Sequence, residues 1–271
     1  SLIVRATNLD IGVEFQIPAI IKTEGSIALH GALLANTLAS IPDEQEVTLV
    51  VNNGVCTITT KTKTLIVKGY LPDDFPTIPY IKEGESFILP ASKFIQGVKS
   101  VVMSAAVSDI KPEIASVYLY QQGDSLVFVA TDSFRLAEKK IKQGGVSVPH
   151  GIIIPVKNIL EMVRMFEVEG GDINFLVTKN QISCTRKSFY ITSRVVVGVY
   201  PDYEQILPKE NKTEVTLLKE DLVNNLKLST FFSDKFNKVT FTINPIKKIF
   251  TISTKNTEIG ETESILTATL T

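Results

Sequence analysis

The sequence predicts an α+β protein built from tandem, domain-sized repeats, three to the chain with the first and third partial. Three observations carry that prediction. Ser1-Leu2-Ile3-Val4-Arg5-Ala6-Thr7-Asn8 reappears as Ser125-Leu126-Val127-Phe128-Val129-Ala130-Thr131-Asp132, and a fainter copy lies at Ile249–Asn256. The offsets are 124 residues (131 − 7) and 123 residues (254 − 131). Leu71-Pro72-Asp73-Asp74-Phe75-Pro76 is echoed by Tyr200-Pro201-Asp202-Tyr203 on nearly the same beat. Similar segments fold into similar units, and a period this long suits small domains rather than a solenoid. The third observation is local: short β-branched runs dominate, broken by turn signals and by a few helices that begin after prolines. Chains of like domains can curve into arcs, and arcs can close into rings.

Within the first repeat, Glu46–Val51, Val55–Thr60 and Thr64–Lys68 read as strands, the first two joined through Asn52-Asn53-Gly54. Ala32–Ile41 reads as a helix, weakly, because Ser and Thr dilute its alanines. In the second repeat, Ala91–Met103 follows Pro90 and Val156–Phe166 follows Pro155, prolines that suit the first helical position because their missing N–H is unpaired there anyway. Asp172–Thr178, Gln181–Arg186 and Phe189–Val195 follow as strands, and Lys219–Ser229 is the helix of the third copy. Polar linkers at Pro79–Glu85 and Pro208–Glu214 set the boundaries at 1–82, 83–210 and 211–271. With the second repeat starting near Ser86 and the third near Thr213, the period carries the outer copies beyond both ends, so the chain is expected to be an incomplete copy of a longer protein.

The helices are one-sided. Phe94, Ile95, Val98, Val101 and Val102 form an apolar stripe, with Lys93, Gln96, Gly97 and Ser100 facing away. Ile159, Met162, Val163 and Phe166 point inward from the next helix, leaving Lys157 and Arg164 on its outer face, and Lys227 is the comparable cation of the third copy. Such charges are usually solvated helix faces, and the alternative is contact with nucleic acid. The helix of the first copy carries no Lys or Arg.

A net charge of −1 and a pI near 6.2 argue against a wholly basic nucleic-acid binder, but not against positive charge gathered on one face. No apolar run has the length of a membrane span and no signal-peptide pattern opens the chain. Cys56 and Cys184 occur one per repeat without a CxxC, which points to a reducing cytoplasm and neither a zinc site nor a disulfide framework. His30 and His150 stand in different repeats with no metal-ligand spacing, and no phosphate-cradling glycine motif is present. Thr131-Asp132-Ser133 with Arg135 reads more readily as a turn stabilised by its own side chains than as a carboxylate–hydroxyl site. No acid–base or nucleophile–base pair assembles, so neither catalysis, metal nor cofactor is expected.

Val129-Ala130-Thr131-Asp132-Ser133-Phe134-Arg135-Leu136-Ala137 resembles the A-T-D-G-H-R-L-A signature of the bacterial sliding clamp family, the β subunit of DNA polymerase III, with Ser133 and Phe134 in place of Gly-His. Tyr200-Pro201-Asp202-Tyr203-Glu204-Gln205-Ile206-Leu207-Pro208-Lys209 is similar to that family's F-P-D-Y-x-x-V-L-P-K segment. Asp74-Phe75-Pro76, Thr7-Asn8-Leu9-Asp10-Ile11 and the helix from Ile154-Pro155-Val156-Lys157 to Met165 also fit, so the likeness runs nearly the whole length.

The resemblance implies tandem DNA-clamp domains, three per subunit, and a head-to-tail homodimer ring around double-stranded DNA with helices lining the hole and sheets outside. It implies a non-catalytic processivity factor of the DNA-directed DNA polymerase. Expected partners are the replicative polymerase's catalytic subunit, the clamp loader that opens the ring, and other clamp-motif proteins of repair polymerase, mismatch-repair and ligase type. It also implies a cytoplasmic protein, nucleoid-associated during replication. The family's partner groove takes a short peptide with a glutamine and apolar anchors. It maps to Ile114, Thr131, Ser133, Phe134, Arg135, Leu136, Pro201, Gln205 and Ile206, with Gln205 where an arginine is common. Pro112 and Glu113 replace the loop aromatics that touch DNA in some members. Lys93, Lys157, Arg164 and Lys227 map to the hole, and the dimer contact to Leu65 and Val67 on one side and Leu226 and Phe231 on the other. The residues alone leave two other classes open: a repeat scaffold that does not bind DNA, and an enzyme on repeated α+β domains.

Overall fold

The computed structural model describes residues 1–41, 46–145, 147–148 and 150–270, so residues 42–45 of the first repeat, Val146 and Pro149 of the second and Thr271 of the third lie outside it. The chain divides into two compact units, Ser1–Pro201 and Asp202–Thr271.

In the first unit, β1 (Leu2–Thr7) and β2 (Ile11–Ile17) form a hairpin, followed by α1 (Gly31–Ala39) and the meander β3 (Thr48–Asn52), β4 (Val55–Thr59) and β5 (Thr64–Lys68). Then come β6 (Glu85–Pro90), α2 (Ala91–Val101), β7 (Ser116–Gln122), β8 (Ser125–Thr131) and β9 (Leu136–Lys142). The same order recurs as β10 (Ile152–Pro155), α3 (Val156–Glu169), β11 (Asp172–Val177), β12 (Gln181–Arg186) and β13 (Phe189–Arg194). The second repeat thus holds strand, helix and three-strand meander twice over. The halves trade their leading strands: β6 pairs with β11 of the other half, and β10 with β7.

The prolines do more than start helices. Pro90 and Pro155 close their strands and stand at the N-cap rather than at the first helical position, so strand runs into helix without a loop. Their φ of −58° and −54° is close to what the pyrrolidine ring imposes. The first helical N–H of α2 donates to Gly171 O at 2.7 Å and that of α3 to Ala115 O at 3.1 Å. Each helix start is therefore satisfied by the residue leading into the opposite meander. In α1 the cap is His30, whose Nδ1 accepts from Leu33 N at 3.4 Å.

One core fills the space between the two sheets and between α2 and α3. Phe94 lies at its centre, with ring centroids 6.1, 5.2 and 5.4 Å from Phe128, Phe166 and Phe175. All four rings are fully buried, each worth about 1.5–3 kcal/mol relative to exposure. Gly97, expected on the outer face of its helix, faces inward instead: a Cβ there would run into the Phe128 ring. Hydrophobicity counting misses such a position, because glycine is chosen for closeness rather than for apolar surface. The expected helix limits also shift: the 91–103 helix ends at Val101 and tightens into a 3₁₀ turn, while α3 runs three residues beyond Phe166.

The first and second repeats share a sheet. β2 pairs antiparallel with β13, from Phe15↔Phe189 to Ile11↔Ser193, giving the strand order β1-β2-β13-β12-β11-β6. Hence the expected boundary at residue 82 is a seam inside one compact unit rather than a break. The linker is fastened to this sheet: Tyr80 stacks on Tyr190 at 4.6 Å and its hydroxyl meets Glu14, which also pairs with Arg5. The outer half of the first repeat keeps a smaller core of Ile41, Cys56, Ile58 and Val67 beneath Leu34 and Leu65.

The second unit begins with a 3₁₀ turn at Tyr203–Ile206. It continues with β14 (Val215–Leu217), α4 (Lys219–Phe231), the meander β15 (Thr240–Asn244), β16 (Ile249–Asn256) and β17 (Gly260–Leu266), and β18 (Ala268–Leu270), which pairs with β14. Phe250, Ile252 and Leu266 form its core with Val215, Leu217 and Leu222.

Candidate functional site

The turn between β8 and β9 is the most specific sequence feature, and its side chains fold back on it. Thr131 Oγ1 donates to Arg135 O at 2.8 Å and accepts from Ser133 N at 3.1 Å. Asp132 Oδ1 accepts from the N–H groups of Phe134 and Arg135 at 3.0 and 2.9 Å, while Oδ2 takes Arg135 Nε at 3.0 Å. Those backbone donors, Arg135 first, lower the Asp132 pKa. The hairpin of the first repeat repeats the construction. Thr7 Oγ1 reaches Ile11 O at 2.9 Å and accepts from Leu9 N at 3.0 Å, and Asn8 Oδ1 accepts from the N–H groups of Asp10 and Ile11 at 3.0 and 2.9 Å. Leu9 and Ser133 both sit at φ 76°. The sequence repeat is therefore a repeat of individual hydrogen bonds.

A left-handed φ costs a side-chain-bearing residue about 1 kcal/mol or more, and glycine escapes it. Ser133→Gly is expected to stabilise the first unit by about 0.5 kcal/mol, the remainder being offset by the greater freedom of an unfolded glycine. A urea midpoint that falls instead would show that the serine contributes more than its backbone cost.

The consequence of the turn is Phe134, whose side chain stands 99% exposed. Ser133 and Arg135 are exposed beside it in sequence, Pro201 is exposed as well, and Leu136 is half-buried. Two groove residues depart from expectation. Thr131 and Ile114 are buried, Thr131 because both its hydroxyl bonds are spent on the turn. Their side chains are taken up by packing within the first unit. Phe134 lies outside the two clefts described in the first unit, which are lined by other residues. A side chain standing fully in water makes a knob, not a wall. Tyr118, passed over in the sequence, and Tyr200 of the Tyr-Pro-Asp motif support this corner: their rings stack at 4.7 Å, and burial pushes the Tyr200 hydroxyl up to about 12. The signal available was Tyr118 and Tyr120 at alternate positions of one strand, with Tyr200 opening the Tyr-Pro-Asp motif. Gln205 and Ile206 belong to the second unit. There Gln205 Nε2 donates to Asp202 Oδ2 at 2.6 Å and Ile206 is largely exposed.

α2 and α3 present charges on a common surface, where Lys99 of α2 pairs with Glu167 of α3. Lys157 and Arg164 are well exposed, as expected, but each has a carboxylate partner, Asp109 and Glu161 respectively. The Asp109 contact raises the Lys157 pKa. Lys93 is a correction: it is half-buried, with Nζ on Lys142 O at 2.8 Å, because its stem lies along the end of β9. Lys227 is exposed on α4.

The dimer residues divide. Val67, 5% exposed, packs on Cys56 and Ile58 of its own repeat, and Leu65 lies over the same cluster. Strand alternation sends Ile66, 71% exposed, to the other face. The assignment of the Val67 side chain to a subunit contact is therefore corrected to a core position, while half-buried Leu65 keeps part of its surface free. Of the opposite pair, Phe231 is exposed and Leu226 half-buried. Among the described residues no cluster of three His, Cys, Asp or Glu side chains is placed to hold a metal, and no helix is long and apolar enough to cross a membrane.

Comparison with known proteins gives these features a context. The family model for the DNA polymerase III beta subunit, central domain, matches residues 88–202. The chain is 25% identical over 272 residues to the beta sliding clamp of Synechococcus elongatus, covering 98% of this chain and 72% of that protein. It is 24% identical over 274 residues to the beta sliding clamp of Bacillus subtilis, covering 96% and 71%. Among solved structures, the DNA polymerase III subunit beta sliding clamp of Bartonella birtlesii bound to griselimycin superposes with a TM-score of 0.87 at 25% identity, covering 98% of this chain and 73% of that one. The DNA polymerase III subunit beta of Pseudomonas aeruginosa shares the fold with a TM-score of 0.85 at 22% identity, covering 98% and 73%.

Proposed function

We propose that the chain is a member of the bacterial β sliding clamp family and that its surfaces divide the work of a processivity clamp. Members of this family are accessory, non-catalytic subunits that work with DNA and the replicative polymerase and assemble as dimers. The observation that carries the proposal is the seam between repeats. β2 of one repeat pairs with β13 of the next, and two counterparts of these strands, β17 two periods after β2 and β5 one period before β13, are outer edges of their own sheets. Repeating the seam between two copies joins β17 of one to β5 of the other, head to tail. Such a heterologous contact gives a closed ring when its rotation completes a circle. The contact then runs through edge backbone and the outward Ile66, not through Val67, with Phe231 and Leu226 as candidates on the opposite side.

The face shared by α2 and α3 fits a sequence-independent track along DNA. Its cations are exposed but largely balanced by Asp109, Glu161 and Glu167, so direct affinity is weak and strongly salt-dependent. A ring that holds duplex DNA topologically needs no more. Lys157, Arg164 and Lys227 are the assigned contacts, with Lys93 supporting from behind. Phe134, Arg135, Leu136, Pro201, Gln205 and Ile206 are assigned to partner peptides: from the replicative polymerase's catalytic subunit, the clamp loader, and repair polymerase, mismatch-repair and ligase proteins. That role sets the place of work at the nucleoid in the cytoplasm.

The test is topological. The clamp is expected to stay on nicked circular DNA and to slide off after linearisation. Neutralising Lys157 and Arg164 together (Lys157→Gln, Arg164→Gln) should reduce retention several-fold at low salt with no change in melting temperature, and the loss should shrink as salt screens it. Equal retention on linear and circular DNA, or a base-sequence preference, would sink the reading.

A further inference from the structure

A cleft of about 470 Å³ at the seam of the first and second repeats is built from the same repeat positions as the partner site, one period earlier. Its first wall is the Thr7–Gly12 turn, which lies 124 residues (131 − 7) before Thr131–Leu136 and shares its hydrogen bonds and its φ of 76°. The correspondence extends to the following segment. Pro72-Asp73 and Phe75 match Pro201-Asp202 and Tyr203, which places Thr77 and Ile78 128 residues (205 − 77) before Gln205 and Ile206. Thr77 lines the cleft. Ile78 is buried over Gly12, where a Cβ would come within 2.8 Å of its Cγ2. The isoleucine thus fills the space that a Leu136-like side chain would take at position 12.

The opposite wall is β12–β13, and its chemistry sets the occupant. Thr192 lines the cleft, is 3% exposed, and its Oγ1 has no hydrogen-bond partner. A buried hydroxyl left unpaired is costly, but this one is closed off from solvent, so it bears on the stability of the wall and is not itself a ligand contact. Gln181 adds an amide beside it. Asp10 and Arg194 lie side by side at the cleft, 3.7 Å apart, and cancel one another, so a strongly charged occupant gains little. Leu9, held outward by its left-handed backbone, offers an apolar contact.

We propose that this cleft is a second peptide-docking site, taking an extended segment of a partner protein with an uncharged hydrogen-bonding side chain next to an apolar one. The inference rests on reading the Thr131–Leu136 turn as a partner site, and the experiment separates the two. The probe is the N-acetyl, C-amide peptide Gln-Leu-Ser-Leu-Leu, titrated into the isotopically labelled chain with backbone amide shifts as readout. Both Thr7–Gly12 and Thr131–Leu136 amides are expected to move. Leu9→Asp, tolerated at a left-handed position, sets a carboxylate beside Asp10 and should remove only the first set. Gln181→Ala should weaken the first set about five-fold, whereas Thr192→Val should leave it unchanged while raising the melting temperature, because it deletes the enclosed, unpaired hydroxyl. Amides of Thr7–Gly12 that stay fixed at millimolar peptide overturn the second site, whatever happens at Thr131. Shifts at Thr7–Gly12 with none at Thr131–Leu136 keep the cleft and overturn the partner reading of the later turn.

Discussion

Val67→Asp is expected to unfold the outer half of the first repeat rather than to separate the subunits of a dimer. Val67 faces Cys56 directly across β4 and β5 and closes the small cluster with Ile58 and Ile41. Replacing it loses about 1.5–3 kcal/mol of apolar burial. An unpaired carboxylate in that place adds a penalty of about 3–5 kcal/mol unless it takes up a proton. The small core has no reserve of that size. Cys56 supplies the readout: burial raises its thiol pKa and hides it, so in the native chain it should label slowly. In Val67→Asp it should label fast, while Cys184, fully buried in the central core, stays protected. The control is Ile66→Asp, one residue away on the outward face. It should leave Cys56 protected and stability within about 0.5 kcal/mol, and should reduce the sedimenting dimer. A Val67→Asp chain that keeps its thiol protected and becomes monomeric would restore Val67 to the subunit contact.

That reversal shows what a sequence conveys and what it withholds. The repeat was legible because 124 residues of spacing left Thr, Asn or Asp, and the flanking strand unchanged in kind, and those side chains dictate one turn through their own hydrogen bonds. Helix placement was legible because Pro90 and Pro155 fix φ and apolar spacing marks a face. What failed depended on contacts far along the chain. Gly97 faces inward because Phe128, on a distant strand, needs its space. Lys93 is tied down by a carbonyl of β9, and the carboxylates that balance Lys157 and Lys99 come from Asp109 and Glu167. The sides of β5 were misassigned because a two-residue period leaves which face is inward to be decided by α1 and β4, not by the strand itself. Of the groove residues, exposed Phe134 and buried Thr131 look alike as motif letters; only the turn's geometry tells contact from scaffold.

Phe134→Ala is expected to weaken binding of the Gln-Leu-Ser-Leu-Leu peptide about 10- to 100-fold without changing stability. Exposed area sets that magnitude. A phenylalanine standing in water contributes nothing to folding, but covering it with a peptide's apolar anchor is worth about 1.5–3 kcal/mol, and each 1.4 kcal/mol is tenfold in affinity. Binding energy concentrates in a few such anchors, so this truncation should exceed any change at the rim. Arg135→Ala is the rim comparison: its guanidinium is already engaged by Asp132, and the expected loss is no more than about five-fold. Asp132→Ala, in contrast, removes the acceptor for two backbone N–H groups and should cost both stability and affinity, because it loosens the turn that presents the ring. Ile206→Asp in the second unit should also weaken the peptide, as its exposed side chain becomes charged. Calorimetric titration decides between these positions. Undiminished affinity in both Phe134→Ala and Ile206→Asp would move the partner site away from this turn, and a Phe134→Ala chain that melts several degrees lower would show the ring to be a packing residue after all.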